Sequence, residues 1–279
     1  MATSLTLQIE GVEDIQLKND LETACKYVLR IFETKIARAP PLGIKPIVIR
    51  PAPANYPKPR CCIDVRLARQ YPINLNKCLS ARNYNQLIYQ FSHELCHVYM
   101  FPHDPNRVAQ FILKPHQSDE KIPWNNWFAE SMCFTMSYLC LSMIAKKWRR
   151  LPPYPYLTSY APTFSQYRQN DISEYLGELK ISSEDKAAEW VRSELSTLAE
   201  ECTEENRAEQ SACAIVLEQA FLKHPNGWGA LCALGDCIDY RKTDFDRWQE
   251  LTTIEKQRKL VKAIAQTFDT KQTHESSTR

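Results

Sequence analysis

Gln90-Phe91-Ser92-His93-Glu94-Leu95-Cys96-His97-Val98-Tyr99 is the stretch on which the reading of this chain turns. It carries HExxH within an apolar frame, and the pattern predicts a buried helix starting near Tyr84. Residues four apart share a helix face, so His93 and His97 aim two imidazoles at one point. That arrangement offers two nitrogen ligands to a zinc ion (Zn2+), with Glu94 beside them as a general base. Phe91, Leu95, Cys96 and Val98 are uncharged, as expected if only the histidine face meets a polar cleft. Two histidines and an acid in such a frame are costly to bury without a metal.

Working outward, the segment before this helix predicts an α/β layer. Leu5, Leu7 and Ile9 alternate with polar residues, as in a strand. From Asp14 to Ala37 apolar residues recur at helical spacing, and Pro40-Pro41 ends that helix. Ile47-Val48-Ile49 reads as a β-branched strand, Pro51 to Pro59 as a rigid loop, Cys61 to Leu67 as a half-buried strand, and Ile73 to Asn76 as another. The expected fold class is α+β: a small mixed sheet with the HExxH helix, then a mainly helical C-terminal region.

Beyond the motif, residues 100 to 123 carry four prolines and read as irregular. A long helix is expected from Trp124 to Trp148, closed by Arg149 and Arg150 against its C-terminal dipole. The apolar run Met132 to Ala145 is too short to span a bilayer. A tyrosine- and proline-rich connector follows, and helical composition returns after about residue 170. Helices are expected from Ser182-Ser183-Glu184 to about Leu198, from Thr203-Glu204-Glu205 to His224-Pro225-Asn226-Gly227, and from Thr243-Asp244 to about Phe268. The expected organisation is an α/β domain over 1–150, a helical region over 151–268 and a disordered tail over 269–279.

The 279 residues suffice for a substantial core. A net charge of +2 with no basic run implies no nucleic-acid partner. Eleven cysteines is an odd number without a CxxC pair. Cys96, Cys133, Cys140, Cys213 and Cys232 sit in apolar helical patterns, as small hydrophobes do. The N-terminus lacks a charged, apolar leader. These features lead to the expectation of a cytoplasmic protein, not associated with a membrane.

A catalytic zinc site needs three protein ligands and an open position. Glu130, in Trp127-Phe128-Ala129-Glu130-Ser131, lies 33 residues beyond His97. A glutamate delivered by the next helix resembles the gluzincin class of zinc metallopeptidases, over roughly residues 84 to 146. The resemblance implies His93, His97 and Glu130 as metal ligands and Glu94 as the base. It also implies a zincin-type fold whose edge strand pairs with extended substrate. Where thermolysin-like members carry an aspartate four residues after the ligand glutamate, this chain has Phe134; a GxMEN-type stretch is absent.

His103 is the other candidate third ligand. His93 to His103 has the spacing HExxHxxGxxH, but Met100 occupies the glycine position and Pro102 restrains the residue before it. Hydrolysis of a peptide bond in a peptide or protein substrate is the implied reaction, and an endopeptidase is expected. A donor for the developing oxyanion is expected among Tyr154, Tyr156, Tyr160, Tyr167, Tyr175 and His224, with Tyr160 preferred. The rival expectations are a non-catalytic zincin-fold module that binds a protein, and a metal-free helical adaptor. An intact Glu94 speaks for the enzyme.

Overall fold

The computed structural model describes residues 5–52, 60–61, 70–76, 78–103, 126–201, 206–239 and 242–268. The strand expected over Cys61–Leu67 lies outside these after its first residue, as do the irregular stretch after 103 and the tail over 269–279. The described chain is mixed α+β, a small sheet accompanied by helices that make up most of it. It falls into two compact units, Met1–Tyr99 with Met136–Asn170 and Met100–Thr135 with Asp171–Arg279. The division runs through two continuous helices.

The first unit holds the sheet. Strands β1 (Leu7–Ile9), β2 (Ile47–Pro51), β3 (Arg60–Cys61) and β4 (Tyr71–Leu75) are ordered β1-β2-β4-β3. β1, β2 and β4 are parallel, with Ile47 opposite Tyr71 and Ile49 opposite Ile73; β3 runs antiparallel to β4 at the edge. Ile47, Val48 and Ile49 are all buried, as expected of a parallel strand covered on both faces. Helix α1 (Ile15–Ile36) starts where Asp14 accepts bonds from the Gln16 and Leu17 amides. It ends at Ala37 in the left-handed conformation, φ 55°.

α2 (Tyr84–Tyr99) is the HExxH helix; it packs on α1 and on the β3–β4 edge of the sheet. The buried Asp20 carboxylate of α1 accepts from Arg82 Nε at 3.1 Å, Tyr84 Oη at 3.4 Å and Gln16 Nε2 at 2.9 Å. It thereby ties α1 to the start of α2. The Gln90 side chain accepts from the Asn76 amide at 3.0 Å, fixing the chain entering α2 to its middle.

Helix α3 (Trp127–Arg150) starts directly after Asn126; Trp124, the expected start, lies outside the described residues. The Asn126 side-chain oxygen accepts from the amides of Phe128 and Ala129, and its amide group donates to the Asp239 carbonyl. A buried asparagine that satisfies the first orphan amides sets the start more firmly than apolar periodicity does. α3 outruns the Met132–Ala145 apolar run. It is the one described helix long and apolar enough to cross a membrane, and 83% of its apolar window is buried inside the protein, as in a core helix.

Two further boundaries differ from the sequence reading. Helix α4 (Ala161–Glu178) starts well before residue 170. Pro162 sits in its first turn, where a missing amide hydrogen is not needed, so this proline opens a helix instead of closing a connector. The connector itself forms a 3-10 turn over Pro155–Tyr160 with Leu157 buried. The single helix expected from Thr243 to Phe268 is two, Phe245–Leu251 and Glu255–Phe268. Thr252 separates them, its backbone extended and its hydroxyl donating back to the Trp248 carbonyl at 2.7 Å, a local bond that competes with helix continuation.

The second unit is helical, with Glu184–Glu201, Arg207–Lys223 and short helices over Trp228–Leu234 beside the pair just described. Its aromatic core centres on Phe128, whose ring meets Phe245 at 5.2 Å, Phe268 at 5.6 Å and Trp248 at 6.2 Å. A Cβ at Gly235 would overlap the Met100 carbonyl oxygen, so only glycine lets the chain leaving the HExxH helix pass there.

Candidate metal centre

Burial along α2 is uneven in an informative way. From Leu87 to Tyr99 every residue is buried except Tyr89, His93 and His97. These three are spaced by four, so they form one line along the helix. The opening therefore coincides with the two imidazoles, whose ring centroids lie 5.2 Å apart. The Nδ1 atom of His97 is shut off from solvent. Glu94 is 4% exposed, on the turn between the histidines.

Within the first unit, α3 runs beside this helix. Ser137 Oγ donates to the Tyr89 carbonyl at 2.9 Å, and the Tyr138 and Tyr89 rings lie 6.3 Å apart. Burial, with the neighbouring Cys96 thiol, pushes the Cys140 thiol up. One turn before Ser137 on the same helix is Cys133. His93, His97 and Cys133 form a group whose ligand atoms all lie within 4.8 Å of one another.

Two imidazoles and a thiol are nitrogen and sulfur donors, the set that a zinc-class ion takes in tetrahedral geometry. Such an ion would hold donors about 3.3–3.6 Å apart, from metal–ligand lengths near 2.0–2.3 Å. The group's outer bound of 4.8 Å leaves room for that spacing. Three protein ligands leave a fourth position, and the half-open histidine face gives access to it. The residues present thus fit a metal ion.

The structure places the remaining candidates as follows. Glu130 lies three residues before Cys133, on the same face of α3. From Trp127 to Leu141 it is the sole residue that is not buried. It is not a member of the close group of three. His103 is committed elsewhere: its Nδ1 pairs with Asp236 Oδ2 at 2.9 Å, and its backbone amide donates to Asp236 Oδ1 at 2.9 Å. It is a held residue, not a loose loop histidine.

Tyr160 is not brought to the histidines. Its hydroxyl donates to Asn85 Oδ1 at 3.3 Å and the Arg82 carbonyl at 3.4 Å. Asn85 precedes His93 by eight residues, about 12 Å along the helix axis. The reason lies in the 3-10 turn, which packs Tyr160 against Tyr84 and Phe164 at the start of α2. Tyr167, one of the other tyrosines considered, meets Tyr89 edge-on at 5.6 Å.

Cys133 is the residue that sequence reasoning passed over, because its apolar helical setting marks it as core. The signal available was its offset of three from Glu130, which puts a soft donor on the ligand-bearing face. No protein-family model matches this chain, nor does any curated protein or solved structure, and the gluzincin resemblance stands on its motif residues alone.

Proposed function

We propose that this chain is a zinc-dependent hydrolase of peptide bonds, holding its ion through His93, His97 and Cys133 and using Glu94 as general base. One observation carries the reading. The three donors meet at the one line of half-open residues between Leu87 and Tyr99 of α2, with a carboxylate on the intervening turn. A binding module would have no use for that carboxylate.

When bound, a zinc-class ion supplies a Lewis acid and acidifies water. The chain's own residues do the rest. Glu94, shielded from bulk solvent, takes the proton of the attacking water and passes it to the leaving amine. The buried flanks of α2 keep other water from the reacting groups. Glu130, half-buried and three residues before Cys133 on the same face of α3, is the chain's candidate for orienting the attacking water or the amine. β3, an antiparallel edge strand packed on α2, is where an extended peptide could add a strand; this supports a zincin-like arrangement.

A second reading exchanges Cys133 for Glu130 as third ligand, as the gluzincin resemblance implies. It is favoured by Glu130 being the one open residue on its stretch of α3.

Cleavage of unfolded protein or unstructured peptide by the purified chain tests the proposal. The expected result is loss of cleavage on dialysis against a chelator and its return with one equivalent of zinc. Fully zinc-loaded protein that cleaves no such substrate, or cleavage indifferent to chelation, would contradict it.

A further inference from the structure

We propose that Tyr89 and Tyr167 form an aromatic subsite beside the metal-binding face, one that takes an aromatic or large apolar side chain of the substrate. The inference rests on the reading of that face as an open hydrolytic site and adds the substrate class.

The opening at the histidines has a direction. Between Leu87 and Tyr99 it continues from His97 through His93 onto Tyr89 and onto no other residue of α2. Tyr89 lies one turn, about 6 Å along the axis, before His93. Helical side chains lean toward the N-terminus, so the His93 ring leans over the turn that carries Tyr89. A group bound at the histidines and extending along this line meets the Tyr89 ring first.

The surroundings define what that group can be. Tyr89 and Tyr167 meet at 65° with centroids 5.6 Å apart, and both are half-buried. Tyr138 closes the back and is fully buried. The nearby cation, Arg168, lies over the Tyr138 ring at 5.7 Å and is engaged there. The next position along the line is Asn85, an uncharged amide that accepts from Tyr160.

A charged side chain entering here would lose hydration with no opposite charge on the line to replace it. An aromatic one gains edge-to-face contact with two rings already set at a favourable angle. A large aliphatic one gains buried area. The chemistry of the lining thus selects an aromatic or bulky apolar group about one helical turn from the ion.

The test uses two small metal-binding probes on the full zinc-loaded chain, acetohydroxamate and phenylacetohydroxamate. They share a chelating head and differ by the phenyl ring. The phenyl probe is expected to bind at least about tenfold more tightly, the discrimination that an added apolar group commands in a fitting pocket. In Tyr167→Ala and Tyr89→Ala, with zinc content unchanged, that ratio is expected to fall to about two to three. Should Tyr89→Ala lose zinc through damage to its helix, Tyr167→Ala on the neighbouring helix decides alone. Equal affinity for both probes in the unmodified chain, or a ratio preserved in Tyr167→Ala, overturns the subsite while leaving the hydrolase reading intact. Failure of both probes to bind zinc-loaded protein overturns the open metal face and the subsite together.

Discussion

Glu94→Gln is expected to retain the metal and the fold and to lose hydrolysis by about 100- to 10,000-fold, the range that a positioned general base supplies. The substitution keeps shape and volume at a site that is 4% exposed, so packing changes little. None of the three ligand atoms belongs to Glu94. What disappears is the group able to accept a proton from water. The loss is therefore expected in kcat, with zinc stoichiometry and thermal stability close to those of the unmodified chain. Cleavage by the variant at an undiminished rate would remove Glu94 from the mechanism.

Cys133→Ala is expected to weaken zinc binding by more than about 100-fold, beyond what loss of a residue that only supports a ligand costs. The site would be left with two neutral imidazoles and no anionic donor. Cys133 is fully buried, so the metal-free proteins must be compared for stability to separate a ligand effect from a packing one. Glu130→Gln distinguishes the two ligand sets. If the thiolate is the ligand, Glu130→Gln keeps zinc affinity within about tenfold; if Glu130 is the ligand, the two variants exchange results. His103→Ala is expected to leave zinc affinity unchanged. It removes the imidazole partner of Asp236, whose other oxygen keeps the backbone amide of residue 103, and so costs about 1 kcal/mol of stability, the usual net worth of one hydrogen bond.

The sequence made much of this legible where local physics decides the outcome. Asp14 caps α1 and the apolar spacing of Leu21, Val28 and Phe32 carries it, so its limits read almost directly. HExxH declared its helix, and Tyr84 as the helix start agrees with the structure. Where a boundary depends on a tertiary partner, the reading slipped. Asn126 starts α3 because Asp239, more than a hundred residues on, fixes its side chain. Pro162 opens a helix because Tyr160 and Phe164 pack around its first turn. The break at Thr252 follows from a side-chain hydroxyl taking the Trp248 carbonyl.

Cys133 was hidden for a related reason. A buried thiol and an apolar side chain obey the same helical periodicity, and only the meeting of α2 and α3 sets Cys133 apart from Cys140 about two turns later. Cys140 faces Cys96 and is pushed toward its neutral form by burial. Cys133 faces two imidazoles. Tyr160 shows the converse: its identity suited an oxyanion donor, but its place on a packed 3-10 turn commits its hydroxyl to Asn85.

The central claim is that His93, His97 and Cys133 hold one metal ion with a position to spare. X-ray absorption at the zinc edge of the purified, zinc-loaded chain tests it most directly. The account predicts one zinc per chain, with two nitrogen ligands near 2.0–2.1 Å, one sulfur near 2.3 Å and one light atom completing the shell. The sulfur contribution is expected to vanish in Cys133→Ala. A shell of nitrogen and oxygen alone in the unmodified chain would contradict the assignment of Cys133, and absence of bound metal would contradict the account as a whole.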